Sequence, residues 1–269
     1  MLSTFLEIIR DNIRNLPVTL SVAWFQLQRE HKTTDLGWFW AIVKPILYVC
    51  MFYAAISLGF KHAKSIDGIY CSYFVWLTSG LVPWFYLSPQ ILGGASCFRR
   101  QRRLFKRTNF PIAAIPMIGV VKALFVHCIL IVMLLVFAML NGVRPSLCWL
   151  QLPFYMILMI IFCYFWCFTF GLLGLLSGDF ISFIKSIRPA FFWLSGIFFN
   201  SRARKNHQMF FICNPITCIV EGYRNCICYN MWFWEEPLRF KALLCLLLLF
   251  MLTTVILYKR LGRYVYELS

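Results

Sequence analysis

Residues 80–116 read GLVPWFYLSPQILGGASCFRRQRRLFKRTNFPIAAIP. An apolar run from Tyr73 to Leu92 leads into this stretch, and another from Ile115 to Leu140 leads out of it. Between them stand Arg99, Arg100, Arg102, Arg103, Lys106 and Arg107, six cations with no carboxylate among them. Each Lys or Arg at a bilayer centre costs several kcal/mol, about 2.5–3.5 by insertion scales. The block therefore stays in water while the two apolar runs cross as a helical hairpin. Cations collect on the cytoplasmic side, so that is where the block belongs.

Composition agrees. Of 269 residues, 61% are apolar and 13% are charged, against about 25% charged in soluble domains. The chain reads as one integral membrane domain. A net charge of +16 suits the inner ends of spans and anionic lipid heads, and nucleic acid is not expected as a partner. The twelve cysteines form no framework. Cys163 and Cys167 lie one turn apart in an apolar run, Cys226 and Cys228 are too close for a usual bridge, and no second Cys or His pair follows at zinc spacing. The four histidines, His31, His62, His127 and His207, are scattered. No metal is expected. The opening MLSTFLEIIRDNIR has no basic leader and carries Glu7 and Asp11, so it reads as a helix rather than a signal peptide.

The expected fold class is an all-α integral membrane protein. It has six transmembrane helices, an N-terminal interfacial helix and an outer re-entrant helical hairpin before the last span. Residues 1–37 are cytoplasmic and interfacial. Phe5, Ile9, Ile13 and Leu16 fall on one side, and Glu7, Arg10, Asp11 and Arg14 on the other. Pro17 interrupts this helix. The spans are placed at 38–60, with a kink at Pro45, and at 73–92, 115–140, 152–176, 180–200 and 240–258. The fifth has a clean apolar core of only 189–199, and it crosses only if Lys185 and Arg188 snorkel. Gly174 and Gly178 are spaced GxxxG, a pattern that permits close helix approach. Residues 209–228 are apolar but broken at Asn214-Pro215 and by Glu221, as a buried re-entrant segment would be. Both termini are then cytoplasmic, and the cations are biased inward, mostly through the basic block.

Catalytic constellations are missing from the sequence. Asp and Glu avoid the span centres, no Ser-His-Asp set is present, and no GxxxxGK[ST] loop exists to hold phosphates. This excludes ATP hydrolysis by the chain alone and argues against an intramembrane protease or a membrane glycosyl- or acyltransferase.

Four motifs in order carry a resemblance: KTTDLGWFW (32–40) with Pro45 beyond, GLVPWFYLS (80–88), LFKRTNFP (104–111) with Pro116 beyond, and NPITCIVEGYRN (214–225). Together they resemble the permease subunit of type-2 ABC exporters of cell-surface polysaccharide, the family that exports teichoic acid, O-antigen and capsule chains. The resemblance runs from about residue 10 to 260. Where the family has Arg-Asp after the fourth span this chain has Gly178-Asp179, and where it often has Ser-Pro in the fifth this chain has Ser195-Gly196. Roles of that Arg and that Pro do not carry over.

The resemblance implies a homodimer in a bacterial cytoplasmic membrane, carrying two ATP-binding cassette ATPase subunits. No cofactor resides in this chain, because ATP and magnesium sit in the partner. The substrate is an undecaprenyl-type lipid-linked polymer. The block Arg99, Arg100, Arg102, Arg103, Leu104, Phe105, Lys106 and Arg107 corresponds to the ATPase-coupling helix. The N-terminal helix frames a lateral entry for the lipid carrier, and 209–228, with Asn214, Pro215, Glu221 and Arg224, shapes the exit. Trp84, Phe85 and Tyr86 are either path-lining or an interface belt. Lys122 either meets the carrier diphosphate or snorkels to inner head groups. Glu221 and Arg224, three apart, are either a local ion pair or part of a ligand site. A drug or small-lipid exporter of the same fold, and an ATP-independent lipid scramblase, are the alternative functions.

Overall fold

The computed structural model describes residues 2–32, 37–59, 71–102, 110–202 and 208–268. Among them every regular element is helical. Eleven α-helices are numbered here: α1 (Leu2–Arg14), α2 (Leu16–Lys32), α3 (Phe39–Gly59), α4 (Tyr73–Gly94), α5 (Cys97–Arg100), α6 (Ile115–Leu140), α7 (Leu152–Leu176), α8 (Gly178–Leu194), α9 (Gln208–Ile212), α10 (Pro215–Arg224) and α11 (Pro237–Leu268).

Helix α4 is the axis of the molecule. Ser72 caps it, its Oγ accepting from the Val75 N–H. Pro83 and Pro89 lie inside it, yet it stays helical, as membrane helices do when neighbours resatisfy the freed carbonyls. Val75 to Val82 are buried without a break, because α6, α7, α8, α10 and α3 surround it. Helix α7 packs between α4 and α11. A Cβ on Gly174 would overlap the carbonyl oxygen of Ala95, so glycine is what lets α7 approach the end of α4. Gly178 meets only the Arg99 guanidinium, at 3.3 Å. The close approach therefore lies at the first glycine of the GxxxG pair.

Among the described residues three helical stretches, Ile112–Leu140, Leu147–Leu176 and Pro237–Gly262, are long and apolar enough to cross a membrane, and Phe39–Ala55 is a shorter apolar helix. Helix α8 differs from the stretch expected at 180–200. It ends at Leu194, and Gly196 adopts φ +73°, a left-handed turn that stops a helix. Its 17 residues reach roughly 25 Å at ~1.5 Å each, short of the ~30 Å hydrocarbon core. Helix α1 also differs in detail. Ile8 is its buried residue, whereas Ile9 and Ile13 are exposed. Asn12 on the buried side donates to Tyr164 Oη at 2.8 Å. Phe5 packs against the core, while Ile9, Ile13 and Leu16 face away from the protein, which is how an interfacial helix meets lipid. Pro17 is the second residue of α2, a position where its missing N–H costs nothing.

Candidate functional site

Among the described residues, three cavities border α4, α6 or both. The first, of about 440 Å³, is bounded by α2, α3, α4 and α6, with Lys44, Tyr48, Phe85, Tyr86, Lys122 and His127 in its wall. The second, of about 500 Å³, lies towards α8 and is lined by Trp84, Ser88, Lys185, Arg188 and Phe192. Tyr48, Phe85 and Pro89 belong to both walls. The third, of about 490 Å³, opens among α2, α5 and α6 and shares Glu30 and Lys122 with the first.

Helical geometry sorts the three aromatics. Successive residues are ~100° apart around a 3.6-residue turn. Trp84 turns to α8, its ring 5.0 Å from that of Phe192. Tyr86 turns to α6 and donates its hydroxyl to the Val120 carbonyl at 3.0 Å. Phe85 is left between them, partly exposed, 6.2 Å from Tyr48. Arg188 donates from Nε to Ser88 Oγ at 2.9 Å. His127 is buried, with Nε2 2.8 Å from Tyr223 Oη. Lys122 Nζ lies 2.6 Å from Glu30 Oε1. Aromatic faces interleaved with cations and hydroxyls can hold sugar rings and phosphates. The rings offer apolar surface to the sugar's CH faces, and the cations offer charge-assisted hydrogen bonds.

A second constellation sits at the other end of α4. Asn214 caps α10, its Oδ1 accepting from the Ile216 N–H at 3.0 Å, and Pro215 takes the first helical position. This local start holds Glu221 and Arg224 on one face, one turn apart and fully buried. Arg224 Nη1 is 2.9 Å from Glu221 Oε1 and donates to the Gly196 carbonyl at 2.8 Å, while Nη2 donates to the Ile197 carbonyl at 2.6 Å. Three residues that the sequence reading did not bring to this site complete the node. Arg202 Nε pairs with Glu221 Oε2 at 3.2 Å, and its Nη2 pairs with Glu236 Oε2 at 3.0 Å and also reaches Asn225 Oδ1. Arg239 pairs with Glu236 at 3.4 Å. Burial pushes the Glu221 carboxyl up, but Arg224, Arg239 and Arg202 together push it down further and hold it below the usual carboxylate range. Nothing in local spacing joins residues 202, 221 and 236. The node ties the end of α8 to α10 and to the start of α11.

In the basic block, Arg103, Leu104, Phe105, Lys106 and Arg107 lie outside the described residues. Arg99, Arg100 and Arg102 are described and exposed. Arg99 donates to the Leu175 carbonyl at 3.3 Å and Arg100 to the Gly93 carbonyl at 2.8 Å. Both cations thus cap C-terminal carbonyls, of α7 and α4, where the helix dipole favours positive charge. All twelve cysteines are free. Among the described residues no group of three or more His, Cys, Asp or Glu is placed to hold a metal.

No family model matches the chain. It is similar to two proteins named O-antigen export system permease protein RfbA from Klebsiella pneumoniae. These are 23% identical over 201 and 200 residues, with 74% of this chain and 75% of each relative covered. A protein of the same name from Myxococcus xanthus is 23% identical over 141 residues, covering 52% of each chain. These relatives bear out the resemblance to polysaccharide-export permeases that the four sequence motifs carry.

Proposed function

We propose that this chain is the permease subunit of an ATP-driven exporter that moves a lipid-linked polysaccharide, O-antigen or a teichoic-acid-like polymer, across a bacterial cytoplasmic membrane. The observation that carries this reading is the similarity to O-antigen export permeases along three quarters of the chain. The run of aromatic and cationic cavities supports it, because that lining suits sugar rings and phosphates. In this reading six helices cross the membrane, both termini are cytoplasmic, and two copies form the path. Hydrolysis of ATP belongs to a cassette ATPase docked on residues 99–107. Phe85 lies along the route, and residues 209–228 bound its outer end.

The test is reconstitution of the full chain with its cassette ATPase in proteoliposomes, measuring delivery of an isoprenoid-diphosphate-linked glycan to the far leaflet. Delivery is expected only with ATP. Delivery at the same rate without ATP identifies a scramblase instead, and ATP-dependent movement of a drug or a short-chain lipid but not of the glycan identifies a different exporter.

A further inference from the structure

The third cavity holds a charge imbalance that the path alone does not explain. Arg29 on α2, Arg100 on α5 and Lys122 on α6 line it from three elements, and Glu30 is the one carboxylate among its described lining residues. Glu30 and Lys122 are 92 residues apart in sequence, yet their charged atoms stand 2.6 Å apart. The Glu30 side chain is 57% exposed and that of Lys122 21%. Such a pair is weak, because water screens it and both chains lose rotamer freedom. Arg100 spends one guanidinium nitrogen on the Gly93 carbonyl, and a guanidinium has five donor hydrogens. Lys122 and Glu30 also line the first cavity, so the pair stands on the boundary between the two spaces.

We propose that the Glu30–Lys122 pair is a displaceable latch on a phosphate-binding site. A phosphate or diphosphate group entering among α2, α5 and α6 takes Lys122 from Glu30 and meets Arg29 and Arg100 as well. The group offers several anionic oxygens to three cations, whereas the ion pair offers Lys122 a single carboxylate. While the site is empty, Glu30 occupies Lys122 and closes α2 against α6. When the site is filled, Lys122 turns to the ligand and α2 is released from that contact. The assignment rests on the export reading only for the source of the ligand, a lipid headgroup.

The latch makes two substitutions that break the same ion pair act in opposite directions. The measurement is calorimetric titration of the full chain in neutral phosphatidylcholine nanodiscs, with undecaprenyl phosphate in one arm and inorganic pyrophosphate in the other. Glu30→Gln removes the competitor and is expected to tighten binding severalfold. Lys122→Gln removes the principal cation and is expected to weaken it at least tenfold, and Lys122→Arg restores it. Binding of both probes, or of pyrophosphate alone, identifies a site for the phosphate group itself. Binding of undecaprenyl phosphate alone identifies a lipid headgroup site. Equal weakening by Glu30→Gln and Lys122→Gln marks the pair as purely structural and overturns the proposal, as does binding of neither probe to the wild-type chain. Normal glycan export by a chain with no such binding removes the latch and leaves the export function standing. Binding with the expected opposite effects in a chain that exports no glycan removes the export function and leaves the site.

Discussion

The guanidinium carbon of Arg224 lies 3.4 Å from the ring centroid of Trp76. One side chain of α10 is thereby stacked on the central helix while it also donates to three backbone carbonyls, of Trp76, Gly196 and Ile197, and to a carboxylate. An arginine can do all of this because its plane stacks and its edges donate, and a lysine cannot.

Replacing Arg224 by Met takes the fully buried partner from Glu221, leaving it Arg202 as an ion-pair partner, and leaves the Gly196 and Ile197 carbonyls without their donor. Breaking a buried pair from one side costs about 3–5 kcal/mol. Arg224→Lys is expected to recover less than half of that loss. Thermal unfolding in detergent, followed by monodisperse fraction on size exclusion, checks both values. A Lys variant as stable as wild type would show that charge alone matters.

The same node sets an acid limit. The native Glu221 pKa is depressed, since three guanidinium groups outweigh the effect of burial. A depressed carboxylate stabilises fully above its unfolded value, about 4.3, and that contribution disappears as pH falls through the lower native value. Stability measured from pH 7 downward should therefore hold to about 4.3 and then decline. Glu221→Gln should start lower at pH 7 and show a flatter acid limb. Parallel curves for the two proteins would remove Glu221 as the titrating group.

Neighbouring aromatics on α4 should separate by phenotype. Phe85 is partly exposed at the wall shared by two cavities, whereas Tyr86 is buried with its hydroxyl bonded to Val120. Phe85→Ala should lower polymer export severalfold with little change in melting. Tyr86→Ala removes a packed ring, and such truncations cost about 3–5 kcal/mol, so it should lower stability first. The two assays on one preparation of each variant distinguish these outcomes. Export unchanged in Phe85→Ala would make that ring an interface residue.

Gly174 sits where α7 touches the end of α4. Gly174→Ala must push the Ala95 carbonyl aside, and overpacking of this kind costs about 1–3 kcal/mol. Gly178→Ala meets only the flexible end of Arg99 and should be near neutral. Melting temperatures of the two single variants provide the comparison, and equal losses would contradict the contact.

Docking of the ATPase should depend more on Phe105 than on any one cation of the block. Burying a Phe contributes about 1.5–3 kcal/mol, while exposed rim charges contribute little each. Phe105→Ala should reduce ATPase recovered in a pull-down more than Arg102→Ala. The reverse order would make the docking electrostatic.

The sequence by itself determined the lipid-facing character of the chain, the basic block between Tyr73–Leu92 and Ile115–Leu140, and helices with the bounds of α6 and α7. Those signals are local: a membrane demands about 20 consecutive apolar residues per crossing and charges each buried cation several kcal/mol, so the pattern stands in a single stretch. The motif NPITCIVEGYRN likewise shows the break at Asn214-Pro215 and the Glu221–Arg224 spacing. Only the tertiary structure decided that Arg202, Glu236 and Arg239 converge on that pair, that Arg99 and Arg100 cap α7 and α4, and that Lys122 meets Glu30. These partners come from separate helices with no common period. Their meeting follows from how the helices pack around α4, and a charge near a helix end carries no local mark of which distant carbonyl or carboxylate it will reach.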